Sequence, residues 1–137
     1  MVRKGTGGCA CGGIRYEFEG VPRQVLACHC TYCQARSGTA FGMSVFLDAD
    51  AVRITGGEVK VYRRTADSGR ASETGFCPDC GTQIYARPQW RPDTIVLKPG
   101  TLDDRSWIKP DVHIWTKSKQ PWVTIPDDAR AYEEQLP

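Results

Sequence analysis

Seven cysteines stand in three short clusters: Cys9-Ala10-Cys11, Cys28-His29-Cys30-Thr31-Tyr32-Cys33 and Cys77-Pro78-Asp79-Cys80. No cysteine lies outside them. Spacings of one and two intervening residues let thiolates converge on a single ion, and the total divides naturally into a closed set of four and an open set of three. Zinc held by four thiolates is usually structural, whereas zinc held by three protein ligands keeps a position for water or substrate.

Cys77-Pro78-Asp79-Cys80-Gly81 has the form of one half of a zinc ribbon, with Gly81 permitting a left-handed backbone behind the turn. Cys9-Ala10-Cys11, taken as extended, directs both sulfurs to one side of a strand. Each pair supplies two ligands and lacks two. Joined, they form a four-cysteine site that clips the N-terminal region to a distant segment. The competing partition joins Cys9 and Cys11 to two of Cys28, Cys30 and Cys33, and it leaves Cys77 and Cys80 short of ligands.

The middle cluster combines a one-residue and a two-residue spacing that share Cys30, so three sulfurs can meet at one point. Three thiolates around a zinc ion give a centre of formal charge −1 with an open position for an incoming thiolate or oxygen. A second structural zinc with a histidine as fourth ligand is the alternative. His29, between Cys28 and Cys30, faces away from their metal on an extended segment. His113 is the better candidate for the open position or for proton transfer beside it; its structural reading is a buried, hydrogen-bonded core histidine.

The elements that must position these residues are short. The chain has 137 residues, which predicts one domain over residues 1–137. Turn signals such as Gly12-Gly13, Gly56-Gly57 and Pro99-Gly100 separate β-prone runs at Ile14–Phe18, Val25–Ala27, Ala40–Leu47, Val59–Tyr62, Thr82–Tyr85, Thr94–Leu97 and Val112–Trp115. Helix is expected over Thr31–Ser37, ending at Gly38, and over Asp127–Glu134, where acidic residues would face the positive end of the dipole. This pattern predicts a mainly β fold of small antiparallel sheets with little helix.

Composition limits the function classes. Lys and Arg number 18 against 16 Asp and Glu, a formal charge of +2. Counting seven thiolates and two zinc ions turns that +2 into −1, and the cations are scattered, which argues against a nucleic-acid partner. No apolar run has the ~18 residues of a membrane span. No apolar signal core follows Met1–Gly5, so a cytoplasmic location is expected. An odd cysteine count and close pairs oppose a secreted disulfide framework. Nothing in the sequence specifies an oligomer.

Cys9-Ala10-Cys11-Gly12, Cys28 to Cys33 and Phe76-Cys77-Pro78-Asp79-Cys80-Gly81, in that order, resemble the glutathione-dependent formaldehyde-activating enzyme family. Ser37-Gly38-Thr39-Ala40-Phe41 and His113-Ile114-Trp115 with Ser118-Lys119 and Pro121-Trp122 extend the resemblance over nearly the whole chain. It implies the β-tent fold shared with the Rab-GTPase chaperone family, built around a structural zinc on Cys9, Cys11, Cys77 and Cys80. It also implies a catalytic or substrate-binding zinc on Cys28, Cys30 and Cys33; with three ligands against four, that second ion is expected to be held less tightly and to be partly occupied. The implied activity is carbon–sulfur lyase chemistry, in which glutathione and formaldehyde combine to S-hydroxymethylglutathione or the reverse.

The partners are then a small-molecule thiol and an aldehyde. Glutathione carries two carboxylates, so a cationic rim is expected, with Arg36 first and Lys117 and Lys119 next. Trp107, Trp115 and Trp122 could wall a pocket or pack in the core. The alternative function is a non-enzymatic module with two structural zinc ions whose β surface binds protein or nucleic acid.

Overall fold

Each turn-limited run expected to be extended is a strand in the computed structural model, which describes all residues 1–137. The strands are β1 (Arg3–Gly8), β2 (Arg15–Gly20), β3 (Gln24–Cys28), β4 (Gly42–Asp48), β5 (Val52–Gly56), β6 (Lys60–Thr65), β7 (Ala71–Phe76), β8 (Gln83–Pro88), β9 (Thr94–Leu97), β10 (Val112–Ile114) and β11 (Arg130–Ala131). A single α-helix, α1, spans Thr31–Ser37 as expected and closes on Gly38 at φ 67°. The chain divides into two compact units, Met1–Arg23 with Val45–Trp107, and Gln24–Ser44 with Ile108–Pro137. No helix is long and apolar enough to cross a membrane.

The first unit holds a three-stranded sheet, β1-β2-β5, and the antiparallel succession β4-β9-β8-β7-β6, to which β4 contributes Val45–Asp48. β9 is buried at every residue, which is why its sequence, Thr-Ile-Val-Leu, carries three consecutive apolar residues rather than an alternating pattern. Around it Val45, Leu47, Ile84, Ile95 and Leu97 are fully buried. β6, by contrast, is exposed along most of its length and lies at the end of the succession.

β1 and β7 carried no hydrophobic signal, and the structure shows why they are strands. Gly7 of β1 stands opposite Tyr16 and Gly75 of β7 stands opposite Tyr85. A Cβ on Gly7 would lie 2.3 Å from the Tyr16 hydroxyl and 2.4 Å from the Thr101 carbonyl; one on Gly75 would lie 2.4 Å from the Tyr85 ring. The tyrosine rings cover the glycines and supply the contacts the glycines lack. Each of these strands ends at a cysteine loop.

Gly7→Ala is therefore expected to destabilise the first unit by about 1–3 kcal/mol, the usual cost of overpacking. Gly100→Ala, where a Cβ would meet nothing within 4 Å, is the neutral control. Thermal denaturation of both variants checks this.

In the second unit β3, β10 and β11 pair in the order β11-β10-β3, and both pairings are parallel, not antiparallel as expected. Val25, Leu26 and Ala27 face Val112 and Ile114 in its buried interior. The helix expected over Asp127–Glu134 is absent. Arg130 N–H donates to Asp111 O (3.0 Å) and Tyr132 N–H to His113 O (2.9 Å), while Glu134 O accepts from Trp115 N–H (3.0 Å). The segment lacks an apolar stripe at helical spacing, so pairing with β10 satisfies its backbone where a helix would have no face to bury.

Candidate metal centres

The first centre is made by two loops of the same length in the first unit. Cys9 to Ile14 joins β1 to β2, and Cys77 to Thr82 joins β7 to β8. Each closes with the same hydrogen bond between its first and last residues: Cys9 N–H to Ile14 O (3.1 Å) and Cys77 N–H to Thr82 O (2.9 Å). Each turns through a left-handed glycine, Gly12 at φ 80° and Gly81 at φ 79°. Cys9-Ala10-Cys11 is thus a turn rather than the extended pair expected from its spacing. A strand would have to end before a chain can fold back onto β2.

All four sulfurs of Cys9, Cys11, Cys77 and Cys80 lie within 4.8 Å of one another. Cys9 and Cys11 sulfurs are 3.5 Å apart and those of Cys11 and Cys77 are 3.8 Å apart. A disulfide needs about 2.05 Å, so these are not bonded pairs. A tetrahedron with zinc–sulfur bonds of ~2.3 Å has edges of roughly 3.8 Å, which is this spacing.

The loops also meet the needs of thiolates. Ile14 N–H donates to Cys9 Sγ (3.1 Å). Thr82 hydrogen-bonds the Cys80 sulfur (3.2 Å) and receives the Ala10 N–H at 3.1 Å. Through Thr82 the two loops are stitched together, a role its sequence position did not signal. Hydrogen bonding from Thr82 draws the Cys80 thiol down to about 5. Cys11, despite the Gly13 amide, is pushed up to about 12 by Cys9, Cys80 and Cys77. Four sulfurs at this range cannot all ionise by themselves; a divalent cation removes that conflict.

The second centre lies wholly in the second unit, where β3 runs into α1. Cys28 ends β3, Cys30 is the N-cap of α1 and Cys33 sits in its first turn. Their three sulfurs lie within 4.8 Å of one another, and neither histidine belongs to this set. The Cys30 sulfur accepts the Cys33 N–H at 3.3 Å, as an N-cap serine hydroxyl would. Hydrogen bonding from Cys28, then from Cys30, with the Arg36 guanidinium alongside, brings the Cys33 thiol down to about 5. Sharing with Cys33, together with burial, pushes Cys28 up. The donor set suits a soft or borderline dication and supplies three of the four ligands such an ion takes.

Alternation along the chain sends His29 away from the sulfurs, as expected, and into the interior. His29 is fully buried, and its Nε2 lies 2.8 Å from His113 Nδ1 with the rings stacked at 5.1 Å. Burial, reinforced by His113 and Lys119, brings His29 down to about 4, and burial likewise lowers His113. Both shifts favour the neutral rings, which are joined by one hydrogen bond. His29 Nδ1 is buried with no protein partner. A bare lone pair there is less costly than a bare N–H, which favours the tautomer in which His29 Nε2–H donates to His113 Nδ1. That places the His113 proton on Nε2.

Of the expected rim cations, Arg36 turns toward the sulfurs rather than outward, and it lies over the Tyr32 ring at 5.8 Å. Lys117 is paired with Glu134 and lies 5.1 Å over the Trp115 ring. Lys119 lies close enough to His29 to depress its protonation. Gln34, unnoticed in the sequence, donates from Nε2 to the carbonyls of His29 (2.8 Å) and Ser118 (3.0 Å), and Gln120 donates to Gln34 Oε1 (3.2 Å). These amides fasten α1 to the loop after β10. That loop begins at Trp115, a non-glycine residue held left-handed at φ 57°, at a backbone cost of about 1–3 kcal/mol. Of the tryptophans, Trp107 packs on Phe18 and under Arg3, and Trp122 is exposed.

The fold is similar to that of a crystal structure described as a Rhodobacter sphaeroides protein, a structural genomics target. The likeness has a TM-score of 0.59 at 18% sequence identity, covering 77% of this chain and 91% of that one. The sequence profile described as "Glutathione-dependent formaldehyde-activating enzyme" matches residues 4–118. That match takes in all three cysteine clusters and His113, and the chain belongs to the glutathione-dependent formaldehyde-activating enzyme family.

Proposed function

We propose that the protein is a zinc-dependent carbon–sulfur lyase-type enzyme acting on a thiol adduct such as S-hydroxymethylglutathione, working in the cytoplasm as one functional domain. The observation that carries this is the unequal pair of sulfur clusters: four donors in one, three in the other. Cys9, Cys11, Cys77 and Cys80 hold the structural ion, and Cys28, Cys30 and Cys33 hold the second. The ion at the three-sulfur site would lower the pKa of an incoming thiol and polarise an aldehyde oxygen.

In the forward direction the glutathione thiolate adds to the formaldehyde carbon. A carbon–sulfur bond forms, the carbonyl π electrons move to oxygen, and that oxygen takes up one proton. The thiol sheds one proton on becoming the thiolate and the oxygen gains one, so the step balances. His113 Nε2 is our choice for the group that hydrogen-bonds that oxygen as it takes the proton up, because its Nδ1 is engaged by His29. His29 orients that ring from between two of the sulfur donors. Gln34 fixes the helix that carries Cys33. Lys119 and Lys117 remain candidates for the glutathione carboxylates.

Metal analysis and exchange spectroscopy test the reading. The purified chain is expected to carry up to two zinc ions, one of them displaceable or perturbed by glutathione. It is also expected to accelerate the interconversion of isotope-labelled formaldehyde and S-hydroxymethylglutathione above the spontaneous rate. Zinc inert to thiols at both centres, with no acceleration, would establish the non-enzymatic module instead.

A further inference from the structure

We infer that Arg36 is a charge-compensating residue of the second centre, positioned to let the three-thiolate site accept an anionic fourth donor. This rests on the reading of that site given above. Cys33 and Arg36 are three residues apart on α1 and so lie on one face of the helix. The guanidinium and the Cys33 sulfur are neighbours, each 3.6 Å from the position a Cβ on Gly42 would take.

Gly42, buried at the start of β4, makes room for this arrangement. A Cβ there would lie 3.3 Å from Cys33 Cβ and 3.6 Å from both Cys33 Sγ and Arg36 Nη2. The sulfur and the guanidinium therefore line the same small space beside Gly42. Arg36 Nε is itself buried, and the guanidinium lies over the Tyr32 ring at 5.8 Å. Such a guanidinium has little freedom to swing out to a substrate carboxylate.

The other cations of this unit have different neighbours. Lys109 pairs with Asp128, Lys117 with Glu134 and Arg130 with Asp111, and Lys119 stands near His29. Arg36 alone is shown against a sulfur donor.

The consequence follows from charge. Three thiolates and a dication sum to −1, and a fourth thiolate would take the centre to −2. A fixed guanidinium beside one donor brings these totals to zero and −1. An arginine stays protonated at every accessible pH, so the compensation is permanent. It acts on any anionic donor, whatever else the ligand carries.

That last point makes the test decisive, because a rim residue for glutathione carboxylates would behave differently. The full chain is loaded with cobalt(II) in place of zinc, and its sulfur-to-cobalt and d–d absorption bands are followed while 2-mercaptoethanol or glutathione is added. 2-Mercaptoethanol has no carboxylate. Arg36→Gln is expected to weaken the response to both thiols by roughly tenfold or more, and Arg36→Lys is expected to retain most of it.

Weakening toward glutathione alone would overturn the inference in favour of carboxylate binding. Equal losses in the Lys and Gln variants would overturn it in favour of packing. A wild-type spectrum that responds to thiols, with an unchanged midpoint in Arg36→Gln, would overturn it while sparing the open-site reading. A wild-type spectrum unmoved by either thiol would overturn both.

Discussion

Cys77→Ser is expected to release the first zinc ion and unfold the first unit. Cys77 is 1% exposed, and its sulfur stands 3.8 Å from Cys11 Sγ. Structural zinc in small peptides contributes about 10–16 kcal/mol at neutral pH. A domain's whole net stability is about 5–15 kcal/mol, so weakening this site removes a quantity as large as the margin that keeps the chain folded. The loss exceeds that of any packing change in the unit. Serine is a poor zinc ligand, and three thiolates would be left crowded together. Circular dichroism and metal stoichiometry measure the outcome. A folded Cys77→Ser chain with both metals in place would contradict the assignment. Retention of bound metal belongs to the partition in which Cys9 and Cys11 join the middle set, because Cys77 is not a ligand there.

The cluster division was legible in the sequence because metal-ligand spacing is local chemistry. The positions of Cys9, Cys11, Cys77 and Cys80 needed only a count of ligands, and their convergence within 4.8 Å follows that count. The shape of the N-terminal pair was not legible. A Cys-x-Cys spacing fits either a strand or a turn, and only the antiparallel return of β2 onto β1 decides for the turn.

Strands with apolar residues announced themselves; β1 and β7 did not, because their packing is supplied by tyrosines on neighbouring strands. The acidic C-terminal segment was misread for a similar reason. Asp127 and Asp128 suit a helix start, yet the backbone of residues 130–134 finds its partners on β10 and the loop after it. Long-range pairing overrode a local preference. Gln34, Gln120 and Thr82 left no signal at all, since a polar side chain gains its role only from what the fold sets opposite it.

Cys30→Ser is expected to leave the protein folded, to abolish binding at the second centre only, and to eliminate thiol binding and turnover. The helix geometry makes this substitution unusually clean. Cys30 is both a sulfur donor and the N-cap of α1, where its sulfur accepts the Cys33 N–H. Serine is among the preferred N-cap residues, so the hydroxyl takes over the cap while the soft donor is lost. Two sulfurs then remain where three were, and affinity for zinc is expected to fall by at least about a hundredfold, from the loss of one thiolate of three.

Cys30→Ala removes the donor and the cap together, with about 1 kcal/mol of further destabilisation. The difference between the two variants reports the cap, and what they share reports the metal. Metal stoichiometry, thermal melts and the glutathione exchange assay separate these contributions. Global unfolding of Cys30→Ser would show that the middle cluster is a structural site like the first. Undiminished turnover in a chain that has lost its second zinc would move the chemistry away from the three cysteines altogether.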